Sequence, residues 1–203
     1  MIDQTASIEK FLTEAAARKP APGGGSVAAL VGALAASMGE MVANYSIDKK
    51  GLEQYQDSLK SALAEFHRAR ILLIGLMAED QSAFEALSSA RKTPPHKAAL
   101  AAAVLACITV PQAMLAAAVS ILEHCDKIVD QVNPHLLSDL AVCADLAMAT
   151  GRCAMHNVRA NLHEIADPGQ RQKIQESSET MLGHALTMVQ RVAPRIAKRM
   201  QKP

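Results

Sequence analysis

The sequence predicts an all-α protein, a multihelical bundle of about six helices. Three observations carry that reading. Half of the 203 residues are hydrophobic and only 2% are aromatic, so the apolar content is mostly Ala, Leu and Met, which favour helices. Apolar positions recur at three- and four-residue spacing over long stretches. The stretches are separated by helix punctuation: a Gly run, then Asn-Pro and Asp-Pro steps.

The first helix spans Thr5 to Arg18, with Ile8, Phe11, Leu12 and Ala15 on one face. The segment Lys19-Pro20-Ala21-Pro22-Gly23-Gly24-Gly25-Ser26 breaks it. A second helix, opened by Ser26, runs from Val27 to Tyr45 and is apolar and small; Gly32, Ala35, Ala36 and Gly39 admit a neighbouring helix closely. Ser46 to Gly51 is a connection. The third helix, Leu52 to Ala90, carries a heptad seam at Leu59, Leu63, Phe66, Arg70, Leu73, Met77, Asp80, Phe84 and Leu87. Arg70 and Asp80 lie about 15 Å apart along that axis, so each needs a partner from elsewhere. Lys92-Thr93-Pro94-Pro95 reads as a turn. A fourth helix runs to about Val132 and bends at Pro111. Asn133-Pro134 and Asp167-Pro168 start two more helices, ending near Ala166 and Arg199. No linker is long enough to split residues 1–203 into separate domains.

Composition also excludes several functions. Lys+Arg number 21 against 20 Asp+Glu, so the charge excess that nucleic-acid binding requires is missing. Ala98 to Leu122 is nearly uncharged, but it carries Thr109, Pro111 and Gln112 and is mostly Ala, which fits a helix buried among helices better than a membrane span. The N-terminus shows no basic region leading into an apolar run, and Cys107, Cys125, Cys143 and Cys153 have no CxxC spacing. Both points fit a cytoplasmic protein with reduced thiols. The seven His form no i,i+4 pair, so no metal site is expected.

One segment exceeds the needs of packing. A turn requires one Gly, whereas Gly23-Gly24-Gly25 supplies three, followed by Ser26 at a helix start whose N–H groups favour a polar or anionic ligand. Asp80 on an apolar seam is either a desolvated acid or base or half of a structural ion pair. Asp139, early in its helix, is either a functional carboxylate or a dipole-satisfying one. Asn157 and Asn161 share a helix face and can either read a ligand edge or bridge helices. Asp139 and Asn157 are about 27 Å apart on one helix, so they cannot touch one small group within one subunit. Lys49-Lys50, after a helix end, form either a solvated pair or an anchor for carboxylates.

PAPGGGSVAAL at Pro20–Leu30, MVAN at Met41–Asn44, Lys49-Lys50, DQSAF at Asp80–Phe84, Lys92-Thr93-Pro94, Val110-Pro111, NPHLLSDL at Asn133–Leu140 and NVRANL at Asn157–Leu162 occur in one order. In that order the chain resembles the cyclodeaminase domain of formiminotransferase-cyclodeaminase and the stand-alone methenyltetrahydrofolate cyclohydrolases. Asp48 stands where that family usually has Gly. The resemblance implies an all-helical, intertwined homodimer that binds a reduced folate near the subunit contact, with no cofactor beyond the tetrahydrofolate substrate. It implies hydrolysis of 5,10-methenyltetrahydrofolate to 10-formyltetrahydrofolate, or else cyclodeamination of formiminotetrahydrofolate; a helical dimer that binds folate without turnover is a third reading. Carried onto this sequence, the catalytic candidates are Asp80 and Asp139. The binding candidates are Gly23, Gly24, Gly25, Ser26, Asn44, Lys49, Lys50, Ser138, Asn157 and Asn161.

Overall fold

The structure is a computed structural model that describes residues 7–92 and 97–201. It contains α1 (Ile8–Ala16), α2 (Gly24–Asn44), α3 (Gln56–Lys92), α4 (Lys97–Ile128), α5 (Leu137–Leu162) and α6 (Pro168–Met200), and no strand among those residues. Short 3-10 turns at Glu53–Tyr55 and Pro134–Leu136 lead into α3 and α5. The expected start of the first helix at Thr5 and the turn at Thr93–Pro95 fall outside the described residues.

Local chemistry sets most of the helix ends. The Ser7 hydroxyl accepts from the Lys10 N–H and caps α1. Asp167 caps α6 by accepting from the Gln170 N–H at 2.8 Å, with Pro168 in the first turn. Asn133 is also a cap, but of the 3-10 turn that precedes α5 rather than of α5 itself. The start of α2 differs from the sequence reading as well. It begins at Gly24, with Gly23 as a cap that has no side chain, and Ser26 is buried inside the first turn instead of capping it. In the connection after α2, Asp48 has φ +56°, a left-handed conformation that Gly adopts most readily and Asp tolerates. A Gly at this position would relieve that conformation.

Helices α2, α3, α4 and α5 pack around a common core, and α6 lies across α4 and α5. The packing of α2 on α3 follows a seven-residue rule. A Cβ on Gly39 would stand 2.7 Å from the Phe66 ring, one on Gly32 would stand 3.0 Å from Leu73 Cδ1, and one on Gly25 would stand 1.9 Å from Asp80 Oδ1. Three glycines at heptad spacing on α2 therefore receive three seam residues of antiparallel α3. Phe66 and Leu73 fill the inner two contacts and are fully buried. Asp80 takes the third, where α2 begins and backbone N–H groups are unpaired. A Cβ on Gly32 would also stand 2.9 Å from Thr150 Cγ2 of α5, so α2 is held closely from both sides.

Helices α2 and α4 are long and apolar enough to cross a membrane by length and composition, and about half of each apolar window is buried against the other helices. Arg70, the other charge on the α3 seam, is paired with Glu40 of α2 at 2.5 Å.

Candidate active site

The start of α2 forms one wall of a cleft of about 210 Å³, whose other walls come from α3, α4 and α5. Gly23, Gly24, Gly25, Asp80, Asn157 and Asn161 line it together. Of the glycines, Gly25 is the one the geometry requires, because any side chain there would displace the Asp80 carboxylate. The Ser26 hydroxyl donates to Asp80 Oδ2 at 3.0 Å, and the Ser26 backbone N–H also bonds the carboxylate. Burial raises the Asp80 pKa above the ordinary carboxylate value, and the two Ser26 bonds oppose that rise in part. No cation pairs with Asp80 among the described salt bridges, so the ion-pair reading from the sequence does not hold within the described residues of this chain.

The two asparagines are fixed by α4 and α5. Asn161 Nδ2 donates to the Asn157 carbonyl at 2.9 Å and to the Cys107 carbonyl at 3.2 Å. Both partners are acceptors, so the NH₂ must point at them and the Asn161 side-chain oxygen is turned away. The Cys107 carbonyl is available because the residue one turn on, Pro111, has no N–H. The proline inside α4 and the asparagine on α5 thus form one device. Asn157 Nδ2 donates to the Cys153 carbonyl at 3.0 Å, which leaves its Oδ1 facing Gly24.

Sequence reasoning missed several residues that also line the cleft: Pro20, Ala21, Gln81, Phe84 and Cys107. Gln81 Nε2 donates to Glu85, while its buried Oε1 has no partner among the described residues. Such an acceptor is costly unless a ligand donates to it. Phe84, expected to pack on the seam, is 43% exposed at the cleft. The one available signal was that both lie in the DQSAF segment beside Asp80. Burial raises the Cys107 thiol pKa, and the nearby Asp80 charge adds to the effect.

The remaining sequence-predicted residues lie at the other end of α2. Asn44 ends that helix, Lys49 and Lys50 follow it, and Ser138 and Asp139 open α5. The two segments are joined where the Asn133 N–H donates to Ser46 Oγ at 2.9 Å. Within one chain, therefore, the candidates form two groups separated by the length of α2, about 30 Å. Asp80 and Asp139 do not share a cleft in a single subunit.

Comparison with known proteins assigns the fold and these motifs to a family. The family model for formiminotransferase-cyclodeaminase matches residues 7–180. The chain belongs to the formiminotransferase-cyclodeaminase family. The methenyltetrahydrofolate cyclohydrolase of Methylorubrum extorquens is 30% identical over 92% of this chain and 93% of its own length. The formimidoyltransferase-cyclodeaminase of Rattus norvegicus is also 30% identical, over 90% of this chain but only 35% of its own length. The crystal structure of formiminotetrahydrofolate cyclodeaminase from Thermotoga maritima superimposes with a TM-score of 0.85 at 29% identity, covering 98% of this chain and 97% of that one. In this family member, sequence and fold thus match proteins named for two reactions, both at the one-carbon unit of a reduced folate.

Proposed function

We propose that this chain is a folate one-carbon enzyme that hydrolyses 5,10-methenyltetrahydrofolate to 10-formyltetrahydrofolate, with Asp80 as its catalytic carboxylate. The observation that carries this reading is the Asp80 carboxylate, seated against Gly25 and Ser26 in a cleft that Asn157 and Asn161 also line. The substrate bears a cationic amidinium carbon between N5 and N10. A desolvated carboxylate with no cation of its own suits such a charge.

The residues then act as follows. Water forms a bond to the amidinium carbon and passes one proton to Asp80, leaving a neutral tetrahedral carbinol. The C–N5 bond breaks, its electron pair stays on N5, and Asp80 returns its proton to that nitrogen. The carbinol proton is lost to solvent as the formyl C=O forms, so the overall reaction releases one proton. A carboxylate with a raised pKa suits both transfers, since it must accept a proton in one step and give it up in the next. Gln81 Oε1 and the Asn157 and Asn161 side-chain oxygens accept from donors on the ligand. Lys49 and Lys50 serve the carboxylates at the far end of a folate.

Cyclodeamination is the second reading, supported by the close full-length likeness to the Thermotoga protein. There N10 attacks the N5-formimino carbon and ammonia leaves through a similar tetrahedral carbon. One assay separates them: hydrolysis removes methenyl absorbance, whereas deamination creates it and releases ammonia. Purified protein showing neither activity above the uncatalysed rate, with Asp80→Asn indistinguishable from the native chain, would refute both. The reading includes a homodimer, supported by the uncovered apolar faces of α1 and α2, and a cytoplasmic location, supported by four free thiols.

A further inference from the structure

Along the α3 seam, Met77 and Leu87 are 5% and 3% exposed, whereas Phe84 between them is 43% exposed. The register with α2 explains the break. Asp80 meets Gly25 and α2 begins at Gly24, so the seam has passed the end of its partner helix when it reaches Phe84. Met77 belongs to the main apolar core, and Leu87 to a second, smaller one that includes Ile108 and Val158. Phe84 belongs to neither, although the other two Phe, Phe11 and Phe66, both pack on the main core. On α3 the cleft opens between the two cores, and the two seam residues that fall there, Asp80 and Phe84, both line it.

A lone exposed apolar residue on an open surface carries little information. Here the ring stands in a cleft, one helical turn from a desolvated carboxylate, and positions i and i+4 put the two Cβ atoms roughly 5–6 Å apart. Among the described residues the ring contact formed is that of Phe66 with His124, and Phe84 has no aromatic or cationic partner. Its faces are therefore free for a ligand. A benzene ring carries partial negative charge on its faces, so it attracts a cation held within about 6 Å of its centre. The methenyl carbon between N5 and N10 is part of such a cation, flat and delocalised.

We infer that Phe84 selects the cationic form of the folate: the amidinium plane lies on its ring, while Asp80, one turn back on α3, meets the same charge from the side. The selection acts on binding and not on the chemical step. Adding water removes the charge, since the tetrahedral carbinol and the formyl product are both neutral at that carbon. The ring thus holds the substrate more strongly than the species that follow it, which lowers KM without raising kcat. It also favours exchange of the neutral product for a new cation. The inference deepens the proposed function and rests on it for the identity of the cation.

The test compares a cationic folate with a neutral one of similar size, through the KM for 5,10-methenyltetrahydrofolate and the Ki of 5-formyltetrahydrofolate at one pH. Phe84→Leu keeps an apolar side chain but removes the ring. It is expected to raise KM for the cation by about 2- to 30-fold and to change Ki for the neutral folate by less than about twofold. Its kcat should equal the native value or exceed it. Phe84→Tyr keeps the ring and should match the native chain in each of these constants. Because Phe84 packs in neither core, both variants should unfold at the native urea midpoint. Equal weakening of both ligands by Phe84→Leu would reduce Phe84 to an apolar wall and overturn the inference. An unchanged KM, or a fall in kcat without a rise in KM, would overturn it as well. A native chain that turns over no folate refutes the proposed function instead. The same comparison, made then by calorimetry as two Kd values, still decides whether Phe84 distinguishes the cation, and equal changes in both would again overturn the inference.

Discussion

Replacing Gly25, Gly32 or Gly39, the three heptad-spaced glycines of α2, by Ala separates stability from chemistry. All three positions face α3, and all three would place a Cβ closer than 3.0 Å to a neighbour. At Gly39 the neighbour is the ring of fully buried Phe66, which has no space to move into. Over-packing of this kind costs about 1–3 kcal/mol, offset by up to about 1 kcal/mol from replacing a mid-helix Gly, so Gly39→Ala should lose about 0–2 kcal/mol of stability. At Gly25 the neighbour is the Asp80 carboxylate, which can swing into the cleft. The loss there is the charge-assisted bond from Ser26, about 1.5–3 kcal/mol at most and less where water replaces it. The two variants should thus be similarly stable by urea denaturation. Their activities should differ widely. Gly25→Ala moves the catalytic carboxylate by more than an ångström and should lower kcat at least about 100-fold, the lower end of what a general acid or base contributes. Gly39→Ala leaves the cleft unchanged and should stay within about threefold of the native rate, since the two sites lie about 20 Å apart on α2. A Gly25→Ala protein that keeps native kcat, or a Gly39→Ala protein that loses activity while remaining folded, would refute the assignment of Asp80 to the reaction.

Asp80→Asn should abolish turnover yet stabilise the fold at neutral pH. Burial holds the folded-state pKa of Asp80 above its unfolded value, so the protonated acid contributes stability that is fully present below about pH 4 and is lost as pH rises through the folded pKa. The stability difference between the Asp80→Asn variant and the native chain should therefore widen with rising pH across that window, and a difference constant with pH would contradict it. In the same way, kcat should fall on the acid side with an inflection above the ordinary Asp value. Pro111→Ala restores an N–H that competes for the Cys107 carbonyl and loosens Asn161. Thermal stability should hold or rise while KM for the folate increases several-fold, and an unchanged KM would show that the proline does not act through Asn161. Asp167→Ala removes the α6 cap and should cost about 1 kcal/mol in urea unfolding with no effect on kinetics.

The helices and much of their contact pattern were legible in the linear order of residues. Helix periodicity and caps are encoded by neighbours along the chain, so Asp167-Pro168 and the α3 seam could be read directly. The polar anomalies were legible for the same reason: Asp80 stood out against its apolar seam, and three glycines exceeded what a turn needs. How these features meet was settled by packing alone. That Gly25 rather than Gly23 makes room for Asp80 depends on the antiparallel register of α2 on α3, which no local spacing encodes. That Ser26 binds Asp80 instead of capping its own helix follows from the same close approach. The Asn161–Cys107 bond joins residues 54 positions apart and depends on a hydrogen bond that Pro111 cannot make. Local hydrogen bonding and side-chain period set the elements, while the placing of charges and amides around one cleft is a property of packed surfaces that the linear order does not contain.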